Sequence, residues 1–435
     1  MRRENEGMSY DSNRISEQLR VLEPEINNFI NRYNLSSGPT GGGPRQTVFL
    51  FGGGMASRLV RAKKAYDSTN PANQVFAYDE IWLNPLTFLG RARDLKMKRV
   101  GSDYRDKEDK IIVTDRLVSL FGVTPYAGFT AWCALNGLDY FVFPWDWRRA
   151  VYDASDLFIT HFLPRFQQMV DAGCNHADPL ERFSLIGHSA GGMVVNWALR
   201  SGAPILNTLD QVITVATPFY GYSEQLHRWF EGEELLNGLG AFKSGIIKAI
   251  CSFPGCYAWM FLPHPTFLAQ QIALAADPDY PLLAYPSVDV TTPGMIVDPY
   301  NPPPSGPLRR YPTFSESGFD LVELASGAAV VTFLSSSLTQ AQADRFWNIR
   351  ADTGATNTLH ETTWDVVPPL APSPIQDASL TAGDGTQPAW TARHAELEAL
   401  APGHVISIKS PSADHAALMN LPNTLQAIAG ILGIP

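Results

Sequence analysis

The chain has 435 residues, of which 45% are hydrophobic, and it carries a formal net charge of −10 at pH 7. A chain of this length can bury a substantial core in one elaborated domain or in two. Because the charge is acidic and no basic run occurs, the composition argues against nucleic acid as a partner. The sequence shows no secretory signal and no apolar run long enough to span a bilayer. We therefore expect a cytoplasmic protein without an integral membrane segment, and its oligomeric state stays open.

Residues 1–45 predict a helix followed by a loop. Pro24 interrupts the helical pattern, so the segment forms either two short helices or one kinked helix. The loop, residues 35–45, is rich in glycine, proline and serine. The apolar residues at helical spacing are Ile15, Leu19, Leu22, Ile26, Phe29 and Ile30.

A short buried strand is predicted over residues 47–51, and three glycines, residues 52–54, follow it directly. Each glycine costs chain entropy, so three together need a physical reason. One reason is a loop whose backbone N–H groups must approach an oxygen atom of a ligand. A tight turn is the alternative, whereas a phosphate loop lacks its usual lysine here. In combination with the serine described below, Gly54 or Met55 is predicted to be one donor of an oxyanion hole.

Residues 140–149 predict a strand that ends in a cluster of aromatic and charged side chains. Asp146 and Arg148 are expected to form a structural ion pair between two tryptophan faces. Residues 153–171 then predict a helix, with a kink at Pro164.

The most informative stretch is a strand–turn–helix sequence that contains Gly187-His188-Ser189-Ala190-Gly191. This G-x-S-x-G pattern holds a serine in a strained turn, and the small residues on either side let the two backbones pass closely. A chance match is the alternative, but the apolar strand before the turn and the helix from Met193 to Arg200 argue against it. Ser189 is therefore the predicted nucleophile, and the N–H group of Ala190 the second oxyanion donor.

Strands and helices alternate up to a strand at residues 211–216 and resume near residue 345. This alternation predicts a doubly wound, mostly parallel α/β sheet. The intervening segment is rich in aromatic residues and proline, which predicts a cap or lid, or an ordinary packed subdomain. The predicted divisions are 1–45, an N-terminal helix and loop; 46–221 and 341–435, two parts of one core; and 222–340, the insertion.

The four cysteines, at positions 133, 174, 251 and 256, lack the spacing of a zinc site. Cys251 and Cys256 flank a turn-like spacer, so a small disulfide loop is one possibility. Free thiols are favoured because a cytosolic protein is expected. No metal or cofactor is predicted.

The last part of the chain predicts a strand at 346–350, a polar loop, an acidic loop at 382–388, a strand at 405–409 and a helix at 423–432. In the serine-elbow arrangement the nucleophile, the acid and the histidine follow in that chain order. His415 lies in the loop after the last strand, which makes it the predicted base. Eight other histidines fit less well by position: His161, His176, His188, His227, His264, His360, His394 and His404.

The acid is predicted to be Asp384, which lies between two glycines ahead of the last strand. Asp365 and Asp377 are alternatives. Asp414 adjoins the histidine and is too close in sequence to reach the imidazole easily from a separate loop.

Taken in order, six segments resemble the lecithin:cholesterol acyltransferase family from about residue 47 to 420. They are Phe51–Leu59, Pro144–Arg149, the GHSAG elbow, Ala216–Gly221, Gly383–Pro388 and Asp414–His415. Three positions depart from the family pattern: Gly52 stands for proline, Trp145 for tyrosine and Gln387 for valine.

The resemblance implies an α/β-hydrolase fold with a lid after Gly221, and ester substrates with a hydrophobic acyl chain. It also implies Ser189, Asp384 and His415 as a catalytic triad with Gly54 and Ala190 as oxyanion donors. Three aromatic residues of these motifs, Trp145, Phe219 and Tyr220, are predicted to contact the substrate.

These expectations together predict a serine ester hydrolase of the lipase, phospholipase or carboxylesterase type, which forms an acyl-enzyme. An acyltransferase that passes the acyl group to an alcohol is the alternative, because the sequence shows no feature that decides the acceptor. A third reading is a binding protein of the same fold without activity.

Overall fold

The computed structural model describes residues 12–36, 46–62, 78–82, 92–100, 103–106, 111–116, 125–175, 178–221, 248–259, 288–289, 320–352, 356–364, 375–409 and 414–434. Within them the strands are β1 (Thr47–Phe51), β2 (Ser57–Ala62), β3 (Tyr78–Trp82), β4 (Met97–Val100), β5 (Asp103–Asp106), β6 (Ile111–Arg116), β7 (Asp139–Phe143), β8 (Phe183–His188), β9 (Leu209–Val215), β10 (Val288–Asp289), β11 (Phe346–Ala351), β12 (Thr356–Trp364), β13 (Ile375–Ala382) and β14 (Val405–Ile408).

The helices are α1 (Ser12–Ser36), α2 (Ala127–Leu135), α3 (Val151–Asp156), α4 (Leu163–Gly173), α5 (Ala190–Ser201), α6 (Pro254–Tyr257), α7 (Leu321–Leu334), α8 (Gln340–Ala343), α9 (Ala395–Leu400) and α10 (Pro422–Leu432). A π-helical segment, Leu157–Phe162, joins α3 to α4. Short 3₁₀ helices lie at Ala92–Leu95, Pro204–Leu206, Pro402–His404 and Leu418–Asn420.

Six strands form a central parallel sheet in the order β14-β11-β9-β8-β1-β7. Every residue of β1 and β8 is buried, as expected for strands covered on both faces. The predicted parallel α/β sheet is therefore confirmed.

The two faces of the sheet carry separate hydrophobic cores, because successive side chains of a strand point to opposite sides. Phe49 and Phe51 share one core with apolar residues of α1, α4 and α5. Val48 and Leu50 share the other core with α2 and α10. Helices therefore cover both faces, which confirms the doubly wound arrangement.

The N-terminal segment forms one helix, α1, with Pro24 inside it. Pro24 is exposed, whereas Phe29 is buried and its ring packs against Phe141 and Phe166. The predicted helix over 153–171 is present, but the π-helical segment divides it. Pro164 stands in the first turn of α4, directly after the π-helical segment.

The polar loop predicted after residue 350 is wrong in part, because β12 and β13 pair there as an antiparallel ribbon. The sequence of β12, Thr-Asn-Thr-Leu-His-Glu-Thr-Thr-Trp, is polar enough to resemble a loop. Threonine is nevertheless β-branched and favours strands, so composition misled where branching at Cβ was the better guide.

Parts of the predicted insertion, 222–247, 260–287 and 290–319, lie outside the described residues. The described segment 248–259 is anchored on the core at Gly255, whose N–H group donates to the Arg148 carbonyl at 3.0 Å. A Cβ atom at Gly255 would lie 2.4 Å from the carbonyl oxygens of Arg149 and Trp147, so the two backbones touch.

A buried tyrosine ties this segment to α7. The Tyr257 hydroxyl accepts from the Asp320 N–H group at 2.8 Å and donates to the Cys251 carbonyl at 2.7 Å. All four cysteines are free thiols, as favoured from the sequence. Among the helices described, none is long and apolar enough to cross a membrane.

Candidate functional site

Ser189 occupies the turn between β8 and α5 with a φ of 53°, a backbone conformation that residues other than glycine rarely adopt. Its N–H group donates to the Val215 carbonyl at 2.8 Å, which ties the turn to β9. The glycines around it are required by space: a Cβ atom at Gly187 would lie 2.5 Å from the Gly191 carbonyl, and one at Gly191 would lie 2.3 Å from the Phe51 carbonyl. The G-x-S-x-G pattern therefore forms the predicted strained elbow.

The predicted serine, histidine and aspartate side chains lie in one hydrogen-bonded row. The Nε2 atom of His415 lies 2.9 Å from Ser189 Oγ, and its Nδ1 atom lies 2.7 Å from Asp384 Oδ2. The backbone N–H group of His415 also donates to the backbone carbonyl of Asp384 at 3.0 Å. In this geometry Nδ1 donates to the carboxylate, and Nε2 can accept the serine proton.

Backbone donors orient the Asp384 carboxylate, whose side chain is 1% exposed. Its Oδ1 atom accepts from the N–H groups of Thr386 at 3.0 Å and Gln387 at 2.5 Å. Gly385 makes this tight turn possible with a φ of +85°. Oδ2 is thereby left to face His415.

The other predicted acids have different positions. Asp414 is exposed, and its Oδ1 atom accepts from the N–H groups of Ala416 and Ala417, so it closes a turn. Asp377 lies within β13. Asp365 lies outside the described residues.

The glycine loop after β1 packs directly against the serine. A Cβ atom at Gly53 would lie 2.9 Å from Ser189 Cβ. The Gly53 N–H group already donates to the Tyr126 hydroxyl at 2.7 Å, so it is not free to bind a ligand oxygen. This leaves the N–H groups of Gly54 and Met55 as the candidate donors of the loop, and their role in an oxyanion hole stays a prediction. Ala190 opens α5, where an N–H group has no acceptor within its own helix.

Two tryptophans bind carbonyl groups of this loop, and a third binds the first carbonyl of β2. The indole N–H groups of Trp145 and Trp82 donate to the carbonyls of Gly52 and Met55, each at 2.8 Å. The indole of Trp147 donates to the Ser57 carbonyl at 3.4 Å. The Gly52 carbonyl shares a peptide with the Gly53 N–H group, and the Met55 carbonyl with the Ala56 N–H group. The two indoles therefore fix the peptides on either side of Gly54 and Met55.

The predicted substrate contacts lie in the interior. Trp145 is 1% exposed beneath the glycine loop. Phe219 is buried against the ring of His394, and Tyr220 accepts the Ala395 N–H group at 2.8 Å. These contacts are structural, and a contact of the three side chains with substrate stays a prediction.

The ion pair predicted beside Trp145 is present. The guanidinium of Arg148 donates to both carboxylate oxygens of Asp146, at 2.9 and 2.7 Å. Arg148 also donates to the Leu95 carbonyl at 3.1 Å. The pair braces the turn that carries Trp145 and Trp147.

Trp259, from the insertion, covers the glycine loop. A Cβ atom at Gly54 would lie 2.4 Å from the Cη2 atom of Trp259, which places the ring directly on that glycine. The Trp259 side chain is buried, and its Nε1 atom has no hydrogen-bond partner among the described residues. Sequence reasoning recognised an aromatic-rich segment here but did not predict that Trp259 contacts Gly54.

Sequence reasoning also missed a buried pair beneath the serine, Tyr126 and His188. The Tyr126 hydroxyl lies 3.1 Å from His188 Nδ1, and His188 Nε2 lies 2.9 Å from the His415 carbonyl oxygen. Burial, reinforced by the nearby charge of His415, lowers the pKa of His188 to about 3. Burial also raises the pKa of Tyr126. No local motif marks Tyr126, because its partners are 73 and 62 residues away in sequence.

Within the described residues, no group of three or more histidine, cysteine, aspartate or glutamate side chains could hold a metal ion.

No protein-family model matches the chain, and no curated protein matches its sequence. Among solved structures, a chain in the crystal structure of the Tle4–Tli4 complex is similar, with a TM-score of 0.52 and 13% sequence identity. The similarity covers 90% of this chain and 99% of that chain. At this identity the likeness shows a shared α/β fold.

Proposed function

We propose that the chain is a lipase-like serine ester hydrolase of the α/β-hydrolase fold. The observation that carries this proposal is the hydrogen-bonded row Ser189–His415–Asp384. It lies beside a glycine loop in which tryptophan indoles bind the carbonyls of Gly52 and Met55. The resemblance of the motifs to the lecithin:cholesterol acyltransferase family supports the same class of reaction.

In the proposed reaction, His415 Nε2 takes the Ser189 proton as Oγ attacks the ester carbonyl. The N–H group of Ala190, together with that of Gly54 or Met55, donates to the oxyanion that forms. The C–O bond of the ester then breaks, and His415 returns the proton to the leaving alcohol. Water, deprotonated by His415, releases the acid and regenerates the serine.

The surroundings of the loop favour an ester with an apolar acyl part. The six-membered ring of Trp259 lies against Gly54, one of the two candidate oxyanion donors of the loop. The insertion that carries Trp259 is rich in aromatic residues. Movement of this insertion as a lid stays a prediction.

The proposal is tested by labelling with a serine-reactive fluorophosphonate. Wild type should be labelled, Ser189→Ala should not, and Ser201→Ala, on an exposed position of α5, should behave as wild type. Labelling that survives in Ser189→Ala would move the nucleophile elsewhere. Absence of wild-type labelling would support the reading as a binding protein.

The reaction and its acyl preference follow from a p-nitrophenyl ester series from acetate to long chains, with and without added alcohol. Free acid as the main product supports hydrolysis, whereas a dominant transesterified product would make the protein an acyltransferase. Trp259→Ala should reduce turnover of long-chain esters more than turnover of acetate. Equal losses would assign Trp259 a purely structural role.

A further inference from the structure

Two parts of the proposed site, the glycine loop and the histidine loop, are tied to the same pair of buried residues. Tyr126 receives the Gly53 N–H group at 2.7 Å, and His188 contacts the His415 carbonyl at 2.9 Å. The two side chains meet at 3.1 Å. Neither residue is among those that the proposed reaction uses.

Three hydrogen bonds link Gly53, Tyr126, His188 and His415 in that order. Their directions follow from the backbone N–H group at one end and the backbone carbonyl at the other. A carbonyl oxygen can only accept, so His188 Nε2 must carry a proton and donate it to His415. In a neutral imidazole Nδ1 is then an acceptor, and it accepts a hydrogen bond from the Tyr126 hydroxyl. The same hydroxyl oxygen accepts the Gly53 N–H group. The series therefore has one arrangement, with each donor matched to one acceptor.

We propose that Tyr126 and His188 are positioning residues. They fix the glycine loop and the backbone of His415, the proposed general base, in their positions relative to Ser189. The proposal rests on the proposed ester hydrolase function. Gly53 is held in the orientation that leaves the next N–H groups of the loop for the oxyanion. His415 is held through its backbone carbonyl, which belongs to the same residue as the ring that takes the proton.

The burial of the pair supports this role. His188 is 3% exposed and Tyr126 is 4% exposed, so water does not compete readily for their hydrogen bonds. The His188 ring lies in the strained elbow itself, directly before the nucleophile, with its centroid 5.0 Å from that of His415. A displacement of either side chain would reach both the loop and the base.

The expected kinetic signature is a loss of kcat with little change in KM. The oxyanion donors and the base act on charge that develops only in the transition state, so their misplacement lowers kcat while substrate binding is retained. A purely structural role would instead reduce the amount of folded enzyme and leave kcat per active serine unchanged.

The first test is Tyr126→Phe, which removes the hydroxyl alone. Its matched control is Tyr257→Phe, because Tyr257 is also buried and its hydroxyl also joins a backbone N–H group to a partner acceptor. Rates are divided by the concentration of serine titrated with fluorophosphonate. We expect kcat of Tyr126→Phe to fall about 10-fold or more, with KM within about twofold, and that of Tyr257→Phe to stay near wild type.

The second test separates the effect of the His188 hydrogen bonds from the effect of its side-chain volume. His188→Leu removes both hydrogen bonds, whereas His188→Gln keeps an amide donor for the His415 carbonyl and an acceptor for Tyr126. We expect His188→Gln to recover a substantial part of the kcat lost in His188→Leu. The double variant Tyr126→Phe with His188→Leu should be little worse than His188→Leu alone, because the two residues act as one unit.

Normal kcat per titrated serine in Tyr126→Phe and His188→Leu would overturn the positioning role while the proposed function stands. Additive losses, or an equal loss in Tyr257→Phe, would also overturn it. A wild-type protein that neither reacts with fluorophosphonate nor hydrolyses esters would overturn the proposed function and, with it, the reaction that these residues are proposed to support.

Discussion

The Nε2 atom of His415 lies 2.9 Å from the Oγ atom of Ser189, although 226 residues separate them in sequence. Parallel strands explain the contact, because their carboxyl ends lie at one edge of the sheet. Ser189 follows β8 and His415 follows β14, so both loops open at that edge. Asp384 joins them from the turn after β13.

Asp384→Asn should reduce kcat by about 10⁴-fold with little effect on folding. An amide in place of the carboxylate no longer provides a charged acceptor for His415 Nδ1, and the imidazole loses its orientation. Ester turnover and the thermal unfolding midpoint are measured together. Asp414→Asn, on the adjacent exposed turn, is the control and should retain activity. Near-normal turnover of Asp384→Asn would transfer the acid role to Asp365 or Asp377.

Gly54→Ala should reduce turnover, because its Cβ atom would lie 2.4 Å from Trp259 Cη2 and either the loop or the ring must shift. If the collision is the cause, replacing Trp259 by the smaller leucine should relieve it. The double variant Gly54→Ala with Trp259→Leu should then recover part of the kcat that Gly54→Ala loses. The comparison requires Trp259→Leu alone as the reference. A double variant no better than Gly54→Ala would show that the glycine is needed for its backbone conformation.

Gly191→Ala and Gly430→Ala should have opposite effects on stability although both glycines are helical. A Cβ atom at Gly191 would lie 2.3 Å from the Phe51 carbonyl oxygen, whereas one at Gly430 meets nothing within 4 Å. We expect Gly191→Ala to be strongly destabilising and Gly430→Ala to stabilise α10 by about 0.5–1 kcal/mol. Urea unfolding at pH 7 measures both. Equal effects would contradict the close packing of the elbow against β1.

The free energy of unfolding should fall as the pH is lowered from about 6.5 towards 4. Burial, together with nearby positive charge, lowers the pKa values of His188 and His394 from 6.5 to about 3 in the folded state. Between these pH values the unfolded chain binds protons that the folded chain does not, so acid favours unfolding. Each histidine can contribute a slope of up to about 1.4 kcal/mol per pH unit.

His394→Asn isolates one of these contributions, because asparagine can still accept the Leu397 N–H group that His394 Nδ1 accepts at 3.2 Å. Urea unfolding of wild type and variant is compared at pH 7, 6 and 5. The variant should lose less stability on acidification than wild type does. Parallel curves would mean that His394 protonates without cost in the folded state.

Much of the candidate site could be predicted because its signals are short in sequence. The elbow needs two glycines within two residues of Ser189, and Asp384 stands between two glycines in the acidic loop. Steric demands of this kind leave a mark on the neighbouring residues. The partners that orient the site leave no such mark: Trp82 and Tyr126 act from elements 27 and 73 residues beyond the loop residues that they bind.

The predictions that failed or stayed untested have a similar cause. Trp145 occupies a motif beside the site, but motif position did not show that its ring lies under the loop, with its N–H group on Gly52. In β12, polar threonines resembled a loop because strand pairing depends on a partner that a local pattern does not contain.

The sequence by itself determined the alternation of buried strands and helices, the strained serine turn and the chain order of Ser189, Asp384 and His415. These are local properties, set by side-chain volume, backbone freedom and hydrophobic period. Only the tertiary structure decided that the Gly53 N–H group of the glycine loop is bound by Tyr126 and which residue contacts the His415 carbonyl. Those properties depend on hydrogen bonds between distant segments, which form only once the sheet brings their ends to one edge.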